Sequence, residues 1–203
     1  MINLFDYWRS SASYRVRIAL GLAGVQWQNI PIDLVQGAQS SPEHLSRNPQ
    51  GLVPVLEIDE ISLTQSLAII EYLDETRSLG FLPKDPIGRA RVRAFAYALA
   101  MEIHPVCNLK VAKFVTENSG GTLKIQDWMI EFITPGLAAF EAMLGNDHYC
   151  YGDQVTLADI CLVPQIYNAN RWNVDLSSMP KITRINAKLL ELDAFAKAIP
   201  VAP

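Results

Sequence analysis

The sequence predicts an α/β domain followed by an all-helical domain, and three observations support this. Before Ser78, short apolar runs of β type alternate with helical patterns. Residues 78–86, SLGFLPKDP, are rich in glycine and proline and are typical of a linker. After this linker, apolar residues recur at helical spacing throughout. The length of 203 residues is enough for two small domains.

The first part of the chain is predicted to run βαβαββα. Its short apolar strands are residues 2–7, 27–34, 53–58 and 61–64. Its helix starts, each marked by a hydroxyl residue, are at Ser10 or Ser11, at Ser41 and at Ser66. A strand–helix–strand unit implies a parallel pair, and the hairpin formed by the last two strands adds an antiparallel edge.

Pro54 lies inside a predicted strand, where a proline removes one donor of the hydrogen-bond ladder. One explanation is that this strand forms an edge of the sheet. The other is a cis bond after Val53, which would turn the Val53 backbone toward a ligand. The sequence leaves both explanations open.

The part after the linker predicts helices only. Residues 88–118 form one long helical pattern that contains Pro105, and residues 123–144 form another that contains Pro135. A further helix is predicted to start at Pro180. Its apolar side would consist of Ile182, Ile185, Leu189 and Leu192.

Several polar, thiol and aromatic residues of this second part are expected to be structural. Thr156 and Asp159 precede an apolar run as a capping box, so Asp159 is predicted to be a cap and not an acid catalyst. The cysteines have apolar neighbours and are expected to be buried, inert thiols: Cys107, Cys150 and Cys161. The aromatic residues expected mostly in the core are Trp128, Tyr151, Tyr167 and Trp172, although Trp172, which stands beside Arg171, could instead line a ligand pocket.

Composition and charge exclude several classes of protein. The net charge of −4 and the pI of about 5.4 give no basic surplus for binding nucleic acid. No apolar run approaches the roughly 20 residues of a membrane helix, and the N-terminus lacks the pattern of a signal peptide. Three cysteines without a CxxC spacing predict neither a disulfide framework nor a metal site. We therefore expect a cytoplasmic protein that contacts neither nucleic acid nor membrane.

The segment YWRSSASYRVRIAL joins the first strand to the first helix. In a thioredoxin-like unit, the start of the first helix favours a bound anion, because the free backbone amides and the positive end of the helix dipole face that position. Redox versions of the unit have a CxxC motif there. This chain has Ser-Ser-Ala-Ser instead. The serines either only cap the helix or also hold the thiolate of a bound ligand.

Two further windows suit a small acidic peptide that bears a thiol. Gln65 and Ser66 stand at another predicted helix start, where an amide, a hydroxyl and backbone N–H groups suit a carboxylate. Val53 can offer its backbone N–H and C=O to a peptide ligand, as an added strand would use them.

Six segments make the chain similar to the zeta class of glutathione transferases, whose best-known members are maleylacetoacetate isomerases. They are YWRSSASYRVRIAL, NPQGLVPVL, QSLAIIEYLDE, EIHPVCNLKV, GDQVTLADICLVPQI and NRWNVDL, and they span nearly the whole chain. The resemblance implies a glutathione transferase fold, with a thioredoxin-like glutathione-binding domain over residues 1–82. An all-helical domain over residues 87–203 would complete the substrate pocket. It also implies bound glutathione and a homodimer.

The resemblance also assigns residues to the glutathione site. Ser10 and Ser11 would face the glutathione sulfur, with Ser10 as the donor to the thiolate. Val53 would pair with the cysteinyl backbone beside a cis Pro54. The remaining glutathione contacts would be Gln39, Gln65, Ser66, His104 and Asn108. His104 and Asn108 are four residues apart, which would put them on one face of the predicted long helix.

Arg9 and Arg171 are predicted to clamp the carboxylates of a dianionic substrate, because arginine binds carboxylates bidentately. Without the resemblance, each arginine would more often belong to a surface ion pair. Arg15 and Arg17 are assigned structural or interfacial positions.

The activity implied is glutathione-dependent cis–trans isomerisation of maleylacetoacetate to fumarylacetoacetate, in tyrosine and phenylalanine breakdown. The departure from the pattern is Ala12, where such isomerases usually carry the cysteine of Ser-Ser-Cys. Maleylpyruvate isomerases lack that cysteine too, so maleylpyruvate is a second possible substrate. A general transferase acting on α-haloacids and a glutathione-binding module without activity are two further possibilities.

Overall fold

The computed structural model describes residues 1–202 and divides the chain into two compact units. The first unit consists of residues 1–81 together with the chain from Glu191 onward, and the second consists of residues 82–190. Among the described residues, no helix is both long enough and apolar enough to span a membrane.

The first unit contains a four-stranded sheet in the order β2-β1-β3-β4. The strands are β1 Asn3–Asp6, β2 Gln28–Pro31, β3 Val55–Ile58 and β4 Ile61–Thr64. β1 and β2 are parallel, and the β1–β3 and β3–β4 pairs are antiparallel. This confirms the predicted parallel pair and the predicted hairpin, although each of the first three strands is shorter than its apolar run.

Ten α-helices occur within residues 1–202, and most of them begin where the sequence predicts a start. They are α1 Ser11–Leu22, α2 Pro42–Arg47, α3 Ser66–Arg77, α4 Pro86–Tyr97, α5 His104–Val106, α6 Leu109–Asn118, α7 Ile125–Met143, α8 Leu157–Arg171, α9 Pro180–Leu190 and α10 Asp193–Ala196. A short 3₁₀ turn covers Ala38–Ser40, and a π-helical segment covers Ala98–Ile103.

Helix α1 packs against α3 and α10 in the first unit. Its apolar residues Val16, Ala19 and Leu20 are fully buried. Gly21 allows α10 to come close, because a Cβ at this position would lie only 3.2 Å from the Cβ of Ala194. The chain after Glu191 is therefore held on this unit by close packing as well as by burial of Phe195.

Arg17 fixes the end of β1 to both α1 and the C-terminal segment. Its Nη1 lies 2.6 Å from Asp6 Oδ2, its Nη2 donates to the Trp8 carbonyl, and its Nε donates to the Ala198 carbonyl. Asp6 is buried, so the guanidinium neutralises a carboxylate that water does not reach. The structural position expected for Arg17 is confirmed.

The single helix predicted over residues 88–118 is wrong. The chain there forms α4, the π-helical segment, the short α5 and then α6, with a break at Cys107 and Asn108. Asn108 is extended, with φ −66° and ψ 137°, and its Oδ1 accepts from the Lys110 N–H at 2.9 Å. An asparagine that caps a new helix interrupts a pattern whose apolar spacing alone looks continuous.

Helix α8 forms the buried centre of the second unit and packs against α4 and α9. The capping box at its start is confirmed, because the Asp159 carboxylate accepts from both the N–H and the hydroxyl of Thr156 at 2.8 Å. Pro135 lies inside α7 as expected. The predicted apolar stripe of α9 is also confirmed, but the helix ends at Leu190, so Leu192 lies beyond it.

Candidate functional site

The ends of the four strands bring the predicted glutathione segments of the first unit to one edge of the sheet. Phe5 is paired with Val55, and Val55 is paired with Thr64, so β1 and β4 end where β3 begins. Ser10 and Ser11 follow β1, Val53 precedes β3, and Gln65 and Ser66 follow β4. We call these five residues the sheet-edge cluster.

Ser10 is the N-cap of α1, and its hydroxyl makes only one hydrogen bond. The Oγ accepts from the Ser13 N–H at 3.2 Å, and the Ser10 carbonyl accepts from the Tyr14 N–H. A hydroxyl has one proton to donate as well, and this proton has no acceptor within residues 1–202. Ser11 is the first residue of the helix, and its N–H has no acceptor within the helix. A half-buried hydroxyl donor therefore stands beside free amides at a helix start, which is a favourable place for an anion.

Val53 and Pro54 form the entry to β3, and the bond between them is cis. The edge-strand explanation for Pro54 is wrong, because β3 lies between β1 and β4 and starts only at Val55. The bond has the geometry that the second explanation requires. Within residues 1–202 the N–H and the C=O of Val53 make no hydrogen bond, so both remain available to a ligand backbone.

Gln65, and not Ser66, is the N-cap of α3. Its backbone has φ 67° and ψ 110°, a conformation that is costly for a residue with a side chain and is enriched at functional sites. Its amide donates to Gln50 Oε1 at 2.7 Å and does not cap the helix. Ser66 starts the helix, and its Oγ lies 3.4 Å from Arg15 Nη1.

Arg15 was not among the predicted site residues, yet it connects the two helix starts of the sheet-edge cluster. It is one of the most buried large side chains, with 2% of its surface exposed, and it projects from α1 to Ser66 at the start of α3. A buried guanidinium at this position raises the positive potential where a carboxylate is predicted to bind. The signal in the sequence was weak, because an arginine one turn into a helix is usually exposed.

Gln39 lies in the 3₁₀ turn after β2, next to the turn formed by residues 48–51. A Cβ on Gly51 would approach the Gln39 carbonyl to 3.3 Å, so the two loops are in close contact. Gly51 has φ 63°, which glycine adopts without strain. The Gln39 Oε1 is buried and has no hydrogen-bond partner within residues 1–202. Its predicted contact with glutathione stays a prediction.

Arg9 immediately precedes Ser10 and makes no salt bridge within residues 1–202. Its guanidinium lies 5.3 Å from the centre of the Trp8 ring and is half-exposed. Arg17, eight residues later, has its charge matched by Asp6. Arg9 is thus a cation beside a predicted anion site, with no anionic partner in the part of the chain that the structure describes.

The second unit contains the other predicted site residues. His104 is in α5 and Asn108 caps α6, so the argument that they share one helix face is wrong: the helix ends between them. Arg171 is in the last turn of α8, where its Nη1 lies 3.5 Å from Asn168 Oδ1 and its guanidinium lies 4.5 Å from the Trp172 ring centre. The functional roles of all three stay predictions.

The four aromatic residues expected mostly in the core are only half-buried. They are Trp128, Tyr151, Tyr167 and Trp172. The indole N–H of Trp128 donates to the Val106 carbonyl at 3.0 Å, which ties one edge of this ring to α5. Aromatic residues are large, and a ring with a polar edge is often placed partly at the surface.

The thiols of the chain are all in the second unit and are all buried: Cys107, Cys150 and Cys161. Burial raises the pKa of the Cys107 thiol to about 11. Burial, and then the Asp159 carboxylate, raise the pKa of Cys150 well above its usual range. Thiols in this state are poor nucleophiles at neutral pH. No cluster of His, Cys, Asp or Glu residues able to hold a metal ion occurs within residues 1–202.

Comparison with known families assigns both parts of the chain. Residues 1–75 match the family model of the glutathione S-transferase N-terminal domain, and residues 134–193 match that of the C-terminal domain. The maleylacetoacetate isomerase of Rhizobium meliloti strain 1021 is 57% identical over 97% of this chain and 95% of its own length.

Two solved structures with high similarity cover nearly the whole chain. A holo maleylpyruvate isomerase, described as a bacterial zeta-class glutathione S-transferase, is 39% identical with a TM-score of 0.94, and the match covers 99% of this chain and 98% of that one. The maleylacetoacetate isomerase of Methylobacterium extorquens AM1, solved with malonate and glutathione, is 37% identical with a TM-score of 0.93 and the same coverage.

Proposed function

We propose, because this chain belongs to the zeta class of the glutathione S-transferase family, that it is a glutathione-dependent cis–trans isomerase converting maleylacetoacetate to fumarylacetoacetate. The observation that carries the proposal is the 57% identity to a maleylacetoacetate isomerase over 97% of this chain. Identity at this level over both domains supports a shared reaction as well as a shared fold.

The sheet-edge cluster fits glutathione, because the thiolate, the cysteinyl backbone and the γ-glutamyl carboxylate of that tripeptide each have a matching group there. The hydroxyl proton of Ser10 has no acceptor within the described residues and suits a thiolate. The free N–H and C=O of Val53 suit a peptide backbone. The start of α3, with Gln65 and Ser66 beside the buried Arg15, suits a carboxylate.

Glutathione, when bound, would supply the thiolate that adds to the substrate double bond and leaves again after rotation about the resulting single bond. The chain's part in this chemistry is electrostatic. Ser10 stabilises the thiolate by donating a hydrogen bond, and the N-terminus of α1 with Ser11 favours the same negative charge. Arg9 and Arg171 are the proposed clamps for the two substrate carboxylates. Gln39, His104 and Asn108 are kept as proposed glutathione contacts.

Maleylpyruvate is the second candidate substrate, and Ala12 is the residue that favours it. The chain has Ser-Ser-Ala where maleylacetoacetate isomerases usually have Ser-Ser-Cys. The solved maleylpyruvate isomerase has a TM-score of 0.94, so the fold offers no ground for choosing between the substrates. Both substrates are dianionic cis-enediones and would use the same donors and clamps.

The proposal includes the biological setting implied by the family. We infer a homodimer in the cytoplasm that acts in tyrosine and phenylalanine breakdown. We also keep the predicted domains, a glutathione-binding domain over residues 1–82 and a helical domain over residues 87–203, although the chain from Glu191 onward belongs to the first compact unit. Size-exclusion chromatography with light scattering tests the dimer, and a monomer at micromolar concentration would contradict it.

The experiment that tests the function compares two substrates in parallel. Purified protein is given maleylacetoacetate and maleylpyruvate, each with and without glutathione, and the trans products are followed by absorbance and chromatography. Glutathione-dependent turnover that is clearly faster with maleylacetoacetate supports the proposal. Faster turnover of maleylpyruvate would assign the second candidate, and turnover of neither would contradict both.

A further inference from the structure

The carbonyl of Leu52 accepts two hydrogen bonds from buried side chains. His44 Nε2 lies 2.9 Å from this oxygen, and Asn48 Nδ2 donates to it at 2.9 Å. His44 is 1% exposed and Asn48 is 2% exposed. Because a carbonyl oxygen can only accept, His44 Nε2 must be the donor in this contact. The other ring nitrogen, Nδ1, is buried without a hydrogen-bond partner within residues 1–202.

Asn48 is itself held in one orientation. Its Oδ1 accepts from the Gln50 N–H at 3.0 Å, and its carbonyl accepts from the Gly51 N–H at 2.9 Å. The side-chain nitrogen therefore faces Leu52, since the oxygen is engaged by Gln50. The backbone N–H of Asn48 donates to the His44 carbonyl, which ties the turn to the end of α2. Both donors to Leu52 are thus fixed by hydrogen bonds or burial.

The Leu52 carbonyl and the Val53 N–H belong to one planar peptide group. The Leu52–Val53 bond is trans, and the cis bond is the next one along the chain, between Val53 and Pro54. In a trans peptide the C=O and the N–H point in opposite directions, and rotation about the bond is strongly opposed. Two donors that hold the Leu52 oxygen therefore fix the direction of the Val53 N–H on the opposite side. That N–H is one of the two Val53 backbone groups that have no hydrogen-bond partner among residues 1–202.

We propose that His44 and Asn48 are positioning residues that orient the Val53 N–H for the glutathione backbone. This inference rests on the proposed function, in which Val53 binds glutathione. Neither side chain is proposed to contact the ligand. Both act through the Leu52 peptide, and without them this group would sample several orientations, so binding would require it to be ordered again. The reacting groups at Ser10 would be unaffected.

Two substitutions of His44 separate its hydrogen bond from its bulk. H44Q keeps an N–H donor at the position of Nε2, whereas H44N places its amide nearer the position of Nδ1 and too far from Leu52. Loss of one neutral hydrogen bond predicts a roughly fivefold weaker Kd for glutathione in H44N, by titration calorimetry. H44Q is expected to remain within about twofold of the wild type by the same reasoning. The value of kcat at saturating glutathione should be unchanged in both variants.

The controls address stability and failure to fold. Ser46→Ala removes a hydrogen bond to the Glu43 carbonyl on the same helix without touching Leu52, and it should leave the glutathione Kd unchanged. Urea unfolding of every variant shows whether the loss of affinity follows loss of stability. If H44N does not fold, N48D removes the other donor while keeping an oxygen for the Gln50 N–H, and it should weaken glutathione binding by at least as much.

The outcomes are distinct from those of the proposed function. Equal glutathione affinity in H44N and the wild type would overturn the positioning role, and so would equal losses in H44N and H44Q. A wild-type protein that does not bind glutathione would contradict the proposed function instead. In that case the positioning role is tested by the Val53 amide resonance in a ¹⁵N–¹H spectrum. This resonance should shift or broaden in H44N and not in H44Q. An unchanged resonance in H44N would overturn the inference.

Discussion

At the start of α8 every polar group of the cap has a protein partner, whereas at the start of α1 the capping hydroxyl keeps a proton that no atom of residues 1–202 accepts. Asp159 is fully buried and accepts from the Thr156 N–H, the Thr156 hydroxyl and the Cys150 N–H. Ser10 is half-buried and accepts a single bond from the Ser13 N–H. Both caps accept hydrogen bonds from the first turn of their helix, but only the cap of α8 has all of its polar groups paired within the described residues.

This difference separates a structural cap from a candidate catalytic one. Burial raises the pKa of Asp159, and the hydrogen bonds from Cys150 and Thr156 oppose that rise, so the carboxylate is committed to holding the loop onto the helix. At α1 the hydroxyl proton of Ser10 and the N–H of Ser11 have no acceptor within residues 1–202. Water or a bound ligand must therefore accept from them. Arg9 beside this start, which forms no salt bridge with any described residue, fits the same explanation.

Removing the complete cap should produce the greatest change, and that change is in stability. Asp159→Ala should lower the free energy of unfolding by about 3 kcal/mol, because the donors of Thr156 and Cys150 would be left buried and unpaired. Urea denaturation measures this. The exposed Asp153→Ala is the control and should change stability little. A loss below about 1 kcal/mol would mean that the box is not a buried network of this strength.

Removing the incomplete cap should act on catalysis instead. Ser10→Ala should lower kcat/KM about 30-fold, because a hydrogen bond to a thiolate is worth about 2 kcal/mol. Stability should fall by only about 1 kcal/mol, the usual cost of losing an N-cap hydroxyl. The pKa of bound glutathione, from thiolate absorbance, should rise in the variant. If the variant keeps full activity and the pKa of the bound glutathione thiol does not change, then Ser10 is only a structural cap, as Thr156 is.

A third substitution tests whether an unpaired arginine differs from a paired one. Arg9→Gln should reduce kcat/KM about tenfold with either dianionic substrate, since one charged hydrogen-bonded contact is lost. Glutathione affinity and stability should not change. Arg77→Gln removes the same charge from the opposite end of the hairpin, where Arg77 pairs with Asp59, and should leave the kinetics unchanged. Equal kinetic losses in the two variants would indicate a general charge effect.

The protein's own thiols should show the weakest effect of all. Cys107 should react slowly with a disulfide reagent at pH 8 in the native state, because burial raises its pKa to about 11 and the thiolate is rare at that pH. The rate should rise as the pH approaches that value. Cys107→Ser should retain isomerase activity. A rapid reaction of Cys107 at pH 8, or loss of activity in Cys107→Ser, would indicate that this thiol takes part in the candidate site.

Local patterns in the amino-acid sequence were sufficient for the order of elements in the first unit and for most helix starts, and they indicated a helix start at Ser10 that suits an anion. The alternation of short apolar runs with helical patterns predicted the order βαβαββα, because the spacing of apolar residues differs between a strand and a helix. Ser10, Ser41 and the Thr156–Asp159 box were readable because caps act within three residues of themselves. The same locality explains the failures: the break at Asn108 and the cap at Gln65 depend on how the backbone turns there, which apolar spacing does not encode.

Which of these polar groups remain unpaired, and which side chains support them, depended on the folded arrangement of the first unit. The strand register brings Ser10, Val53 and Gln65 to one sheet edge from positions far apart in the chain. Arg15 meets Ser66 across 51 positions, and His44 shares the Leu52 oxygen with Asn48. A hydrogen bond depends on where its donor and acceptor lie in space, and those positions follow only from packing of the whole unit.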